Sequence, residues 1–226
     1  MDLKKYAIIL AGGSGKRANS DLPKQFVEVC GKPLIIHTMH VFARAVEGIG
    51  FIVVINPKML GEWEKIASHF SLPAYILAEG GPERFHSVKN GLAKIKDTNS
   101  MVAIHDSVRP FVSKEVIVSA FKEAEYFGNA VPVININESV RIKNGSLNEP
   151  VDRNLLFKVQ TPQCFKSQLI IKAYNQNFDE KFTDDAVVLE STGERIHLID
   201  GNTENIKITY PSDLLYAEAV LKNRPD

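Results

Sequence analysis

Short apolar runs alternate along this chain with stretches whose apolar positions recur at helical spacing. Tyr6-Ala7-Ile8-Ile9-Leu10 reads as a buried first strand. A helix follows from Gly31-Lys32-Pro33, with proline in its first turn and Leu34, Thr38, Val41, Phe42 and Ala45 on one face. Residues 51–55 predict a second strand, 57–69 a helix containing Trp63, and 74–78 a third strand that runs into Gly80-Gly81. A helix to about Ile95 comes next, then a fourth strand at 101–104. Ser113 is placed to N-cap a helix with Val116, Ile117, Ala120, Phe121 and Ala124 inward. Residues 130–133 predict a short strand that Pro132 assigns to an edge or an end. Such alternation predicts an α/β fold with a doubly wound, mainly parallel sheet.

The pattern changes near residue 138. Glu138-Ser139-Val140-Arg141-Ile142-Lys143 alternates polar with apolar, Asn144-Gly145 is a hairpin signal, and the return through Asn148-Glu149-Pro150-Val151 is polar. This predicts a projecting β-arm, and an arm with unpaired edges calls for a partner, most simply a second copy of the chain. Beyond it come a helix over about 167–177, another opened by Thr183-Asp184-Asp185-Ala186 with Thr183 as N-cap, strands at 196–199 and 205–209, and a final helix from Pro211.

Composition narrows the function classes. The chain has 226 residues, 44% hydrophobic and 24% charged, which suits a globule with a full core. Lys+Arg and Asp+Glu are both 27, so no overall charge draws the protein to nucleic acid or to an anionic membrane. Any basic site must be local. Cys30 and Cys164 are too few for a disulfide framework or a thiolate metal site and read as packing residues in a reducing compartment. No signal-peptide or membrane-spanning run stands out, so a cytoplasmic location is expected.

Candidate chemistry gathers after the first strand. In Leu10-Ala11-Gly12-Gly13-Ser14-Gly15-Lys16-Arg17, glycines let backbone N–H groups approach an anion, and Arg17 and Lys24 add two cations seven residues apart. A Walker A loop would need Gly at Leu10 and Ser or Thr at Arg17. The dinucleotide fingerprint fits Gly13, Gly15 and Ala18, but the loop-like 19–23 replaces its long helix and Asn56 stands where its ribose-binding acid belongs. A polyphosphate that gains charge during reaction fits the two cations better. A non-catalytic nucleotide sensor would need neither of them.

In a parallel sheet, ligands bind beyond the carboxyl ends of the strands. Segments 10–24, 79–87, 105–110 and 205–209 all fall at such ends. Gly80-Gly81 with Arg84 and Ser87 suits a base or ribose, or equally a turn and helix cap. Asp106 could hold a sugar hydroxyl or approach a phosphate-bound Mg²⁺, with Arg109 on a second phosphate, or the two could form a structural pair at a strand end. Lys207 faces away from Ile206 and Ile208, into a site or into solvent. Arg153 and Thr183 read on spacing alone as a surface arginine and a helix cap, and His105 as a packing or hydrogen-bonding residue.

Taken together, Ala11–Arg17, Leu22-Pro23-Lys24-Gln25-Phe26, Gly80-Gly81 through Arg84 to Ser87-Val88, and His105-Asp106-Ser107-Val108-Arg109-Pro110 resemble the polyol-phosphate cytidylyltransferases. So do Val151-Asp152-Arg153-Asn154, Gln160-Thr161-Pro162-Gln163, Thr183-Asp184-Asp185-Ala186 and Asn205-Ile206-Lys207-Ile208, over nearly the whole chain. The resemblance implies one Rossmann-like nucleotidyltransferase domain over 1–226, with 138–160 inserted as a dimerisation β-arm. It implies transfer of CMP from CTP to a polyol phosphate, release of pyrophosphate, and Mg²⁺ held mainly by the CTP phosphates. By this resemblance Leu10, Ala11, Gly12 and Gly13 cradle the triphosphate, and Gly81 and Ser87 read cytosine and ribose. Arg17 and Lys24 stabilise charge on the α-phosphate and leaving group. Arg153, Thr183 and Lys207 hold the incoming phosphate, with Asp106, Ser107, Arg109 and Thr161 beside them, and Arg153 serves the neighbour's site. Three positions depart from the pattern: Ala18 in place of Met, Pro82 in place of a polar residue, and Ser107-Val108 in place of Ala-Ala. The last pair resembles the ribitol 5-phosphate enzymes. Asp152-Arg153-Asn154 and Thr183-Asp184-Asp185 resemble the branch acting on 2-C-methyl-D-erythritol 4-phosphate, which is the expected acceptor.

Overall fold

The protein is described by a computed structural model, which covers residues 3–13 and 23–223. In chain order, β1 (Lys4–Ala11) precedes a 3-10 turn at Lys24–Phe26 and a small hairpin of β2 (Glu28–Val29) and β3 (Lys32–Pro33). Then come α1 (Leu34–Ala45), β4 (Gly50–Ile55), α2 (Leu60–His69), β5 (Tyr75–Glu79), α3 (Arg84–Leu92), β6 (Ser100–Asp106) and α4 (Lys114–Phe127). The second half holds β7 (Asn129–Asn135), β8 (Val140–Asn144), β9 (Leu147–Val151), β10 (Phe157–Val159) and β11 (Gln163–Lys166). It closes with α5 (Ser167–Ala173), α6 (Asp185–Glu190), β12 (Leu198–Asp200) and α7 (Pro211–Asn223).

The main sheet runs β10-β7-β11-β6-β1-β4-β5, with β12 paired to β7. Its core, β6-β1-β4-β5, is parallel. The central strands are apolar on both faces because helices cover both. In β1, Ala7, Ile9 and Ala11 pack on the face of α1 and α4, while Tyr6 and Ile8 pack on the face of α3 and α5. A third cluster of Val29, Leu34, Val108, Phe111, Ile208 and Ala217 seats α7 beside the sheet. Ser113 caps α4 as expected, its hydroxyl accepting from the Val116 N–H at 3.2 Å, and Gly128 ends that helix at φ +93. Pro33 stands one place ahead of α1, as its N-cap.

Three expectations are corrected, and one element, the strand β11, was not anticipated. Pro132 does not mark an edge, because β7 is paired on both sides. Val131 and Gly201 serve the β12 side, while the Pro132 carbonyl accepts from Gln160 N–H at 2.8 Å. The missing donor of Pro132 therefore faces the break between β10 and β11, where the ladder needs none. Second, β11 is a strand in the middle of the sheet, antiparallel to β6 and β7. Third, 205–209 is not a strand; its backbone pairing reduces to Ile208 N–H on the Val108 carbonyl at 3.0 Å. Its alternation reflects Ile208 packing under α7 rather than pairing. Fourth, the cap of α6 is Asp184, whose carboxylate accepts from Val187 N–H at 2.9 Å, and not Thr183.

The hairpin β8–β9 forms with the expected Asn144-Gly145 turn, Gly145 at φ +60, and stands as a two-stranded sheet of its own.

Because β11 fills the sheet centre with a fully buried ring, Phe165→Ala is expected to cost about 3–5 kcal/mol of stability. A fall in the urea midpoint at unchanged slope would register this.

Candidate active site

Strands β1, β4, β5 and β6 end on one rim, with Ala11 opposite Ile55, Ile55 opposite Glu79, and Leu10 opposite Asp106. The chain steps outward from β1 through β4 to β5, then returns to the other side of β1 with β6. Beyond the carboxyl ends of β1 and β6 the connections therefore diverge, leaving a crevice at the switch point of the sheet. A cleft of about 750 Å³ opens there, bordered by Leu10 to Gly13, Lys24, Gly81, Ser87, Asp106, Ser107 and Lys207.

One wall is bare backbone. A Cβ on Gly12 would meet Ser87 Oγ at 3.0 Å and Gly80 Cα at 3.3 Å, so the loops after β1 and β5 touch only because both carry glycine. Ser87 Oγ accepts from Gly81 N–H at 3.0 Å, tying α3 to this contact. The Ala11 and Gly13 carbonyls accept from Gln25 Nε2 at 2.9 and 3.3 Å, and the Gly12 carbonyl from Asn56 Nδ2 at 3.4 Å. Occupying three successive carbonyls fixes the peptide planes and takes acceptors out of competition with donors for an anion.

The facing wall is charged. Asp106 lies 3.0 Å from Lys207 Nζ, 3.4 Å from Arg109 Nε and 4.0 Å from Arg84 Nε. Burial alone would raise the Asp106 carboxyl, but the cations of Lys207, Arg84 and Arg109 outweigh it and hold it well below the usual carboxylate range. Arg84 grips the fully buried Asp185 with two bonds, at 2.8 and 2.6 Å. Burial works against the Arg84 charge, yet Asp185 overcomes it and raises the guanidinium above its ordinary value.

Beneath the cluster a directed relay fixes the backbone. Asp106 N–H donates to Thr161 Oγ1 at 3.2 Å. His105 bridges Thr161 Oγ1 and the Arg109 carbonyl, both at 3.0 Å. A carbonyl only accepts, so Nε2 carries the proton, and Nδ1 accepts from the threonine. Burial pushes the imidazole down to about 4, which keeps this neutral tautomer.

Of the residues expected from the sequence, Leu10, Ala11, Gly12, Gly13, Lys24, Gly81, Ser87, Asp106, Ser107 and Lys207 meet in the cleft. Arg109 backs Asp106 and reaches the Asn205 carbonyl at 2.8 Å, and Thr161 lies under both. Arg17 and Ala18 lie outside the described residues. Two expectations are not met within the chain. Thr183 is exposed and does not border the cleft, and Arg153, on the 3-10 turn after the arm, donates instead to the Asn137 carbonyl. Sequence reading gave no site role to Gln25, Asn56 or Asp185, although Gln25 and Asp185 stand within the stretches that carry the family resemblance.

Sheet order, glycine wall and opposed cations place the chain among the α/β nucleotidyltransferases. A profile of the 2-C-methyl-D-erythritol 4-phosphate cytidylyltransferase family matches residues 6–223. The enzyme of that name from Bacteroides fragilis is 45% identical over 96% of this chain and 99% of its own length. Its namesake from Geobacillus thermodenitrificans is 37% identical over 96% and 97%. The crystal structure of 4-diphosphocytidyl-2C-methyl-D-erythritol synthase from Anaerococcus prevotii superposes with a TM-score of 0.83 at 26% identity, covering 98% of this chain and 97% of that one. The chain belongs to the 2-C-methyl-D-erythritol 4-phosphate cytidylyltransferase family and is a cytidylyltransferase.

Because the folded protein holds His105 near 4 against 6.5 for a free imidazole, the neutral ring favours folding. This contribution is complete above pH 6.5 and disappears as pH falls toward 4, a loss of roughly 2–4 kcal/mol. Asp106, depressed below the carboxylate range, keeps its own contribution through that window. Urea unfolding at pH 7 and pH 4.5 should show the fall, and His105→Gln should flatten it.

Proposed function

We propose that this chain transfers CMP from CTP to 2-C-methyl-D-erythritol 4-phosphate, giving CDP-methylerythritol and pyrophosphate. The carrying observation is the opposition, across one cleft, of a glycine wall made for a polyphosphate and an Asp106 cluster with three cations. The acceptor agrees with the names of the relatives. Ser107-Val108, the pair shared with ribitol 5-phosphate enzymes, is buried: Thr38 Oγ1 donates to the Ser107 carbonyl at 2.9 Å, and Val108 packs with Phe111 and Ile208. These contacts fix the backbone of a pair that also borders the cleft, and the names of the relatives carry the choice of acceptor.

In this reading Gly12 and Gly13 receive the triphosphate, and Gly81 and Ser87 the cytosine and ribose. An oxygen of the acceptor phosphate, held by Lys207 and Arg109, attacks the α-phosphorus of CTP. A new P–O bond forms, the bond to the β-phosphate breaks, and pyrophosphate leaves. A phosphate dianion is already nucleophilic, so no general base is needed; positioning and electrostatics do the catalysis. Lys24, with Arg17, stabilises the charge that grows on the α-phosphate and leaving group.

Mg²⁺ fits this cleft as a companion of the triphosphate. Among the described residues no group of three or more His, Cys, Asp or Glu could hold a metal, and Asp106, the buried carboxylate bordering the cleft, already faces three cations. When bound, the ion neutralises phosphate oxygens. No helix among the described residues is long and apolar enough to cross a membrane, and an exposed free thiol at Cys30 suits a reducing cytoplasm.

The whole chain acts here as one catalytic domain, and 138–160 as the arm that joins two copies. Ile142 and Leu147 on the hairpin are 53% and 73% exposed, and Leu155 in the 3-10 turn after it 77%, apolar surface that a second copy would cover. Arg153 stands at the base of that arm, away from its own cleft, and completes the partner's site.

Lys24→Ala is expected to lower kcat by about two orders of magnitude or more with little loss of CTP affinity, read by pyrophosphate release and by calorimetry. Wild-type turnover in that variant would remove Lys24 from the mechanism. Arg153→Ala and Lys207→Ala should each be inactive alone, yet regain activity when mixed and allowed to exchange subunits. No recovery in exchanged mixtures would confine Arg153 to its own chain.

A further inference from the structure

Resting on the reading above, the cleft has a nucleotide side at Gly12, Gly81 and Ser87 and an acceptor side at Asp106, Arg109 and Lys207. We propose that Asp185 is the positioning residue that holds the two sides in register, acting through Arg84.

Asp185 is wholly buried in the first turn of α6 and touches neither side itself. Its Oδ1 accepts from Arg84 Nη1 at 2.8 Å and from the Tyr174 hydroxyl at 2.6 Å, and its Oδ2 from Arg84 Nη2 at 2.6 Å. The Nε edge of the same guanidinium faces Asp106 Oδ1 at 4.0 Å. A guanidinium is a rigid plane, so fixing one edge aims the other. Arg84 also opens α3, whose next turn carries Ser87, and the neighbouring Phe85 ring stacks on Tyr174 at 4.7 Å.

The tether closes on itself. Gln163, in β11 beside β6, accepts from Ala186 N–H at 2.9 Å and donates to Asp184 at 2.8 Å. A continuous path thus runs from β6 through Gln163 to α6, from Asp185 to Arg84 and Ser87, and back to Asp106 at the end of β6. The charge balance depends on it too. Asp106 and Asp185 together leave Arg84, Arg109 and Lys207 with one net positive charge. Without the Asp185 carboxylate, the nearest remaining anion for Arg84 is Asp106. The guanidinium would turn onto it and displace Lys207, the group that meets the acceptor phosphate.

Asp185→Asn in the full chain should lower kcat/KM for the acceptor at least about tenfold while the Kd for CTP alone changes less than about threefold. Should that variant unfold, Arg84→Met combined with Asp185→Leu replaces the buried pair with apolar volume and should restore stability. Activity should not return with it. Recovery of turnover along with stability would make the pair merely structural and overturn the proposal. A readout independent of turnover is the Asp106 ¹³Cγ resonance without substrates, assigned by its loss in Asp106→Asn. It should move in both variants, and an unmoved resonance would refute the coupling. A wild-type protein that releases no pyrophosphate from CTP and 2-C-methyl-D-erythritol 4-phosphate would sink the proposed reaction, while the carbon shift would still decide this inference.

Discussion

The site depends on one buried carboxylate surrounded by cations. Removing charge from water is costly, and Asp106 stays ionised only because Lys207, Arg84 and Arg109 come to it from three separate segments. The dependence is mutual, because three cations so close would repel one another without the carboxylate between them. The cluster keeps a positive excess, so a molecule with no net charge carries a locally cationic wall in its cleft.

Much of the surrounding fold secures that arrangement. The His105–Thr161 relay sets the backbone of Asp106 and Arg109 through neutral hydrogen bonds, so no added charge disturbs the cluster. Lys207 rides on a segment whose register is set by Ile208 under α7 and by Asn205, whose side chain donates to the Thr161 carbonyl at 2.8 Å. The glycine wall obeys a different constraint. Gly12 and Gly80 are small so that two loops can meet, and Gln25 and Asn56 hold the carbonyls that such loops would otherwise leave mobile.

Two residues expected at the site lie outside the cleft of a single chain, which is what the proposed sharing of the site between two copies would require of Arg153. Thr183 and Arg153 border no part of it within one chain, and Arg153 follows a hairpin that makes its own sheet and carries exposed apolar side chains. A site finished by a neighbour would make activity conditional on assembly, which fits an arm that projects from the main sheet.

The sequence by itself settled the parallel core, the burial of β1, the hairpin at Asn144-Gly145, and the gathering of Gly12 and Gly13 with Lys24 and Lys207 at one rim. Each follows from local periodicity, turn chemistry, or the rule that parallel strands end together. Tertiary structure alone decided the rest. β11 is four residues with polar ends, and it is a strand only because β6, some sixty positions upstream, supplies its partners. The alternation of 205–209 came from packing and so mimicked a strand. Thr183 and Asp184 are both good caps by residue type, and only the position of the Val187 N–H chose between them. Asp185 stood in a motif of the family resemblance but gave no signal of its pairing, because a carboxylate in the first turn of a helix is ordinary until a guanidinium from a hundred residues away closes on it. Pairings at that separation are set by how the layers pack, and no local pattern encodes them.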